Sequence, residues 1–294
     1  MSSSKYEVFL RAVQLKNFTR VTEEMNLTQS GVSHTIASLE EELDVRLLVR
    51  SRGGVSLTAD GRKMLPLIQT LHNDELHVKE LAARLKNLET GIVRVSCFAS
   101  AEVHWIPQII KTFREINPSI QVELLHATLN SEIEKMVMDG TADCGFVVLP
   151  TMMRLKNWVL YRDPWRVITP SNYACTEEAE FPLDRLSTEP FIFLDEGDDD
   201  EIAGILRELN VKPNICHTIL RDQTILSMVS NGLGISIMPE LMLAQCPYPL
   251  RSFELPGDFY RDIAICVKDE NYVSPSTMSF IEHTINWTGE YTHF

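Results

Sequence analysis

Phe18-Thr19-Arg20-Val21-Thr22-Glu23-Glu24-Met25-Asn26-Leu27-Thr28-Gln29-Ser30-Gly31-Val32-Ser33-His34-Thr35-Ile36 opens the segment, Phe18 to Gly61, that constrains the architecture most narrowly. Thr19 is placed to cap a short helix that carries Val21, Thr22 and Met25 on its inner side. Asn26-Leu27-Thr28 reads as a tight turn, with Thr28 capping a further helix that runs to about Leu43. On that helix Val32, Ile36, Leu39 and Leu43 form one buried stripe. Its other face presents Gln29, Ser30, Ser33 and His34 near the N-terminus, short polar groups able to reach base edges and phosphates. Glu40, Glu41, Glu42 and Asp44 crowd the C-terminal half, which is expected to point away from phosphate.

Working outward, Tyr6, Phe9, Leu10 and Val13 recur at helical spacing and predict a preceding helix from about Ser4 to Leu15. Downstream, Val49-Arg50-Ser51-Arg52-Gly53-Gly54-Val55-Ser56-Leu57 has Gly-Gly between apolar residues, which suits a tight hairpin. Arg50 and Arg52 would place cations on the tip or flank of that wing. A short helix exposing Gln and Ser means little alone. Three helices, their turns and a basic wing in this order are a much more specific pattern.

These residues resemble the N-terminal domain of LysR-type transcriptional regulators. The match runs through Phe9-Leu10, Phe18-Thr19-Arg20, Leu27-Thr28-Gln29-Ser30-Gly31-Val32-Ser33, Leu39-Glu40-Glu41-Glu42-Leu43, Arg46-Leu47, Arg50, Leu57-Thr58 and Gly61, with spacing retained. The chain departs from the family at Val21 and Thr22 (usually alanines), Gly31 (alanine), His34 (arginine) and Leu48 (phenylalanine). The small Gly31 is expected to make room for Val21 and Thr22 on the facing helix. His34 removes a permanent cation from the recognition helix, so phosphate contact there is expected to be weaker.

Thr58-Ala59-Asp60-Gly61 resembles a capped helix start, and the sequence to residue 90 is helical in pattern with one interruption, Pro66. Met64, Leu71, Val78 and Leu85 fall seven apart, with Ile68, Leu81 or Ala82, and Leu88 at the second heptad position. Asp74 and Glu75 interrupt the seam. The dimerisation residues expected are Met64, Ile68, Leu71, Val78, Leu81 and Leu85; packing on the helix's own domain is the alternative. The resembled family pairs through this helix. Glu89-Thr90-Gly91 reads as a hinge.

The chain has 294 residues, 44% hydrophobic and 23% charged, a globular composition with room for two or three domains. It has no signal-peptide-like start and no apolar run of membrane length, which predicts a cytoplasmic protein with no membrane partner. Six scattered cysteines (Cys97, Cys144, Cys175, Cys216, Cys246, Cys266) form no C-x-x-C pair and read mostly as buried reduced thiols. The net charge is −14, but residues 1–66 carry nine Lys and Arg against eight Asp and Glu. The acid therefore lies outside the head, which can still bind phosphates in a salt-sensitive way.

From Ile92 the pattern alternates strands and helices. Residues 92–98, 120–125 and 144–149 read as strands and 106–116 and 131–138 as helices, a βαβαβ order that implies an open parallel sheet. A second set has strands at 165–169, 191–194, 215–219 and 235–238, then a strand at 262–267 and a helix at 276–288. The expected class is α/β, with a winged helix-turn-helix (1–57), a linker and dimerisation helix with hinge (58–90) and an effector-binding domain (91–294). The resemblance implies two periplasmic-binding-protein-like subdomains, taken as 91–162 with 267–294, and 163–266. Val229 to Pro239 also fits the family pattern; its Asn231-Gly232-Leu233-Gly234 lies between helix and strand, the wrong order for a dinucleotide loop.

Ligands of such sheets sit beyond the carboxyl ends of strands. Ser100 and Ala101 follow the first strand and Thr128 the second; Ser100 and Thr128 match family effector positions, and plain helix caps are the alternative. Asp195, after the strand ending at Leu194, faces them from the other subdomain. Phe146, with Phe98, His104 and Trp105, could wall the cleft or fill the core. Helix N-termini favour a small organic anion, whereas the acidic run Asp195 to Glu201 argues for a solvated cap, a metal or a cationic ligand.

The function expected is therefore a sequence-specific DNA-binding transcriptional regulator of the LysR type, switched by a small-molecule effector in the C-terminal cleft. Its partners would be double-stranded DNA, that effector, a second copy of itself as homodimer or homotetramer, and RNA polymerase if it activates. No cofactor or metal is expected. A ligand-independent DNA-binding protein that uses the C-terminal domain for assembly is the alternative, ahead of an enzyme: no nucleophile elbow, metal cluster or phosphate loop is visible in the sequence.

Overall fold

The computed structural model describes residues 5–51, 54–84, 90–174, 180–195, 201–244 and 246–291. The head contains α1 (Lys5–Leu15), α2 (Phe18–Met25), α3 (Gln29–Leu43) and an antiparallel pair, β1 (Leu48–Ser51) and β2 (Gly54–Leu57). Asn17, not Thr19, caps α2: its side chain accepts from the Thr19 and Arg20 amides at 2.9 and 3.4 Å. Thr28 caps α3 by accepting from the Gly31 amide at 3.1 Å. Val8, Ala12, Val21, Val32 and Ile36 form one core cluster and Phe9, Leu39, Leu47 and Ile68 another. A methyl at Gly31 would meet only Thr28 Oγ within 4 Å. Gly31 therefore does not compensate for Val21 and Thr22, because its open side faces its own cap.

Helix α4 (Ala59–Arg84) starts on the Thr58 hydroxyl, which accepts from the Gly61 amide at 2.8 Å and donates to the Arg46 carbonyl at 2.7 Å. Gly61 is required here, since a Cβ would lie 2.2 Å from the Leu47 carbonyl oxygen. Met64 and Ile68 turn inward onto the head core, and Ile68 is fully buried. This corrects the assignment of Ile68 to a pairing seam; Met64 is half-buried against the same core. Leu67, Leu71, Val78 and Leu81 are instead the exposed apolar residues of α4. Leu85 and Leu88 lie outside the described residues.

The remainder has β3 (Gly91–Cys97), α5 (Ala99–His104), α6 (Ile106–Ile116), β4 (Ile120–His126), α7 (Asn130–Met138) and β5 (Cys144–Leu149). It continues with β6 (Lys156–Pro170), α8 (Leu183–Thr188), β7 (Pro190–Leu194), α9 (Glu201–Glu208), β8 (Asn214–Ile219), α10 (Asp222–Ser230) and β9 (Ser236–Pro239). A short 3-10 helix (Glu240–Leu243), β10 (Leu250–Glu254), β11 (Tyr260–Val267) and α11 (Pro275–Tyr291) complete it. Strands β4, β3 and β5 are parallel, as the βαβαβ pattern implies. Strand β11 adds antiparallel to β5, and β6 to β11.

Strand β6 is 15 residues long and joins both subdomains: its first part pairs with β11, and Trp165–Pro170 pairs with β9 and β10. Strands β7 and β8 pair in parallel, and Phe191 bridges to Ile235 beside β9. Because β11 pairs with β5 from Asp262 onward, the chain re-enters the first subdomain at β11 and not at residue 267. Two cores result, one around Trp105, Phe113, Phe146 and Phe280, the other around Phe191, Ile225, Ile237 and Phe253. No helix among the described residues is long and apolar enough to cross a membrane.

Candidate functional site

On α3, the buried stripe fixes which face is left free. Gln29, Ser30 and His34 are exposed and Ser33 half-buried. Arg50 on β1 is exposed, with its guanidinium stacked 4.5 Å from the Phe18 ring centroid, so the wing cation is braced against the α2 start. Arg52 lies outside the described residues. Glu40 is buried: one oxygen accepts from the Leu47 and Leu48 amides at 2.7 and 3.0 Å, the other from Arg46 at 3.2 Å. Its charge is spent on closing the turn between α3 and the wing, a role that the run of glutamates concealed.

The second candidate lies where the subdomains meet. Strands β6 and β11 set Asp163 opposite Arg261 in the antiparallel register. Asp163 is fully buried and accepts from Arg261 at 2.8 and 2.9 Å and from the Leu241 amide at 2.9 Å. Arg261 also donates to Ser100 Oγ at 2.8 Å, and its guanidinium lies 5.1 Å from the Phe98 ring and 5.8 Å from the Trp165 ring. Ser100 is therefore not a helix cap; it belongs to a buried network that crosses from α5 to both connecting strands. Burial pushes the Asp163 carboxyl up, against the pull of Arg261. The half-buried Asp222, at the start of α10, is pushed up by burial and drawn down by the same Arg261.

Thr128 lies just past the end of β4, next to the end of β3 in the parallel register, and is exposed. It is not a cap either: α7 is capped by Leu129, with the Glu132 carboxylate accepting from the Thr128 and Leu129 amides at 2.9 and 3.3 Å. These hydrogen bonds hold the Glu132 carboxyl below its ordinary value. The start of α7 thus already holds an anion of its own, contrary to the expectation that it waits for one. The Ala101 methyl is buried in the core and leaves only its backbone to offer a ligand. Phe146 does not wall the cleft: it is fully buried, edge-on to Trp105 at 6.4 Å. Asp195 is exposed at the end of β7, its amide donating to the Ile219 carbonyl at 2.9 Å; residues 196–200 lie outside the described residues.

Arg261 and Asp163 escape a sequence reading because their pairing depends on strand register across 98 residues, and Asp222 because it nears Arg261 only once α10 is folded against that pair. Cys97, Cys144 and Cys266 are buried, and burial pushes Cys97 and Cys266 up to about 12, which keeps them protonated; Cys216 is exposed. Among the described residues no group of three or more His, Cys, Asp or Glu is arranged to hold a metal.

Residues 86–288 match the family model for the LysR substrate binding domain, and residues 4–62 that for the bacterial regulatory helix-turn-helix protein, lysR family. The chain belongs to the LysR family of transcriptional regulators. This LysR-type regulator is 30% identical over 291 residues to the probable HTH-type transcriptional regulator LrrA of Synechococcus elongatus, covering 96% of each chain. It superposes on full-length OxyR from Pseudomonas aeruginosa with a TM-score of 0.76 at 20% identity, over 98% of this chain and 94% of that one. Full-length CbnR in complex with its target DNA gives 0.67 at 18% identity, over 96% and 98%. The domain that carries Ser100, Asp163 and Arg261 is thus the effector-binding domain, and the head is the DNA-binding one.

Proposed function

We propose that this LysR-type regulator binds its operator through Gln29, Ser30, Ser33 and His34 of α3 and through Arg50 and Arg52 of the wing, and that a small molecule in the cleft switches it. It acts as a homodimer or homotetramer paired along the exposed stripe of α4, binds rather than turns over its effector, and contacts RNA polymerase where it activates. The observation that carries the effector reading is the Ser100–Arg261–Asp163 network. It ties Ser100 to both strands that connect the subdomains, so a ligand reaching Ser100 would also bear on that connection. Such a ligand shifts the protein only by binding its two states with different affinity.

The effector we favour is a small organic acid that also carries a hydrogen-bond donor. Its acid group would meet Arg261, Ser100 and the Thr128 hydroxyl. Arg261 is already balanced by Asp163, so neutral donors supply much of the anion recognition, and Asp222 is placed to accept from the donor. Mapping of genomic sites gives the operator, and a thermal-shift screen of metabolites identifies the ligand. Ser100→Ala should abolish the ligand-induced shift while leaving operator affinity intact; a shift of unchanged size in that variant would remove the site from the cleft. On the operator, Gln29→Ala or Ser33→Ala should each cost about 1–3 kcal/mol of discrimination between cognate and altered sites. Arg50→Ala should weaken all sites alike and lower the salt slope by about one. Equal behaviour of the three variants in binding assays would overturn these contacts.

A further inference from the structure

Helix α4 has two working faces. Gln69, Asn73, Leu76 and Glu80 follow one another at intervals of four, three and four residues and face the effector-binding domain or the gap beside it. Leu67, Leu71, Val78 and Leu81 lie on roughly the opposite side at about 100° per residue, and all four are exposed.

The first face is fastened by hydrogen bonds. Asn73 is buried, and its Nδ2 donates to the Gly140 carbonyl at 2.8 Å. Its Oδ1 accepts from Arg94 at 2.9 Å and from Gln69 at 3.1 Å. Arg94 in turn donates to both Asp143 oxygens, at 2.7 and 3.0 Å; the Arg94 amide donates to the Asp143 carboxylate and the Asp143 amide to the Arg94 carbonyl, each at 2.8 Å. Gly140 has φ +78°, and a Cβ there would stand 2.8 Å from Asn73 Nδ2. The close approach therefore needs a glycine for space as well as for backbone. Two turns on, Ser276 donates to Glu80 at 2.6 Å, and a Cβ at Gly91 would collide with both. Beside these contacts an open gap of about 830 Å³ separates α1 from β3 and β4. The head thus meets the first subdomain here by way of α4.

We propose that Asn73, Arg94, Asp143 and Gly140 form a polar latch that locks α4 to the first subdomain, so that subdomain and head turn as one body about the α4 seam. A buried network whose members are all satisfied specifies one arrangement, whereas apolar contacts would tolerate sliding. The latch gives the hinge movement of the cleft a rigid route to the DNA-binding head, with α4 as the shared element.

The test uses the full-length protein with spin labels at Glu23→Cys on α2 and Lys111→Cys on α6, with Cys175, Cys216 and Cys246 replaced by serine, and the labelled chain diluted into unlabelled chain. Pulsed dipolar spectroscopy should give one narrow distance. Asn73→Ala should lose it for a broad distribution with no change in the dimer. Gly140→Ala should do the same, and the double variant should be no broader than Asn73→Ala alone, since the two changes remove one contact. If Asn73→Ala aggregates, Asn73→Ser serves in its place. A distribution that stays narrow in Asn73→Ala or Asn73→Ser, or effects of the two sites that simply add, would overturn the latch.

Discussion

Arg261 and Asp163 face each other across β11 and β6, Asp163 fully buried and Arg261 nearly so, closed by the Leu241 amide and the Ser100 hydroxyl. Two opposite charges in such a place are costly to part. Arg261→Met leaves the Asp163 carboxylate without its cation and should destabilise the effector-binding domain by about 3–5 kcal/mol. Replacing both, with Asp163→Leu added, should recover much of that loss, because the penalty arises from the unpaired charge and not from the missing bridge. Denaturant melts of the two variants beside the wild type decide it; a double variant as unstable as Arg261→Met would show that the pair is needed for more than charge balance. Neither residue could be picked out from the sequence. Ser100 could, since it follows a strand end, but its partner Arg261 is 161 residues away and is set there by a register that joins it to Asp163 across 98 residues. Glu40 was legible only as one acid among several, because nothing local shows that its oxygens close onto the Leu47 and Leu48 amides.

At the scale of the element, α4 shows what periodicity can and cannot settle. Its helical pattern, its Thr58 start and a heptad recurrence can all be read from the residues. Leu67 and Ile68 are adjacent and equally apolar, so the pattern does not say which of them faces a partner. The head core decides: Ile68 is fully buried against Phe9, Leu39 and Leu47, and Leu67 is left outside with Leu71, Val78 and Leu81. Ile68→Ala should therefore cost about 2–5 kcal/mol of head stability with no effect on association. Leu71→Glu should do the opposite: in the pairing proposed above it would place like charges on both copies of the seam, and sedimentation velocity should show dissociation with the melting profile of the head unchanged. Should Ile68→Ala dissociate the protein and Leu71→Glu leave its mass alone, the two faces have been assigned the wrong way round. The parallel β3–β4–β5 core follows from its alternating pattern, but the 15-residue β6 does not. Only part of β6 is apolar enough to signal a strand, and the rest is held by β11 from the far end of the chain.

Across the whole molecule, three histidines in separate places share one property. His72 on α4 has a buried Nδ1 without a partner among the described residues. His104 ends α5, and His283 on α11 shares a 2.8 Å hydrogen bond with Thr112. Burial, the largest cause in each, holds all three below the ordinary histidine value of 6.5. Unfolded, each would take up a proton near that value, while the folded protein resists it. Below 6.5 the unfolded chain then binds more protons than the native one, so stability is retained above that pH and falls as pH drops toward the depressed folded values. Asp163 and Asp222 act with the opposite sign: burial raises their carboxyls, which favours the folded protein at low pH and loses that advantage as pH climbs from about 3.9. The histidines should govern the range from about pH 7.5 down to about 5.5, where the unfolded carboxyls are already ionised. The melting temperature should fall across it, and His283→Gln, which can keep a hydrogen bond to Thr112 but cannot titrate, should flatten the fall. A wild-type melting temperature that held level or rose on acidification would mean that the buried carboxyls, not the histidines, set the pH response of the folded protein.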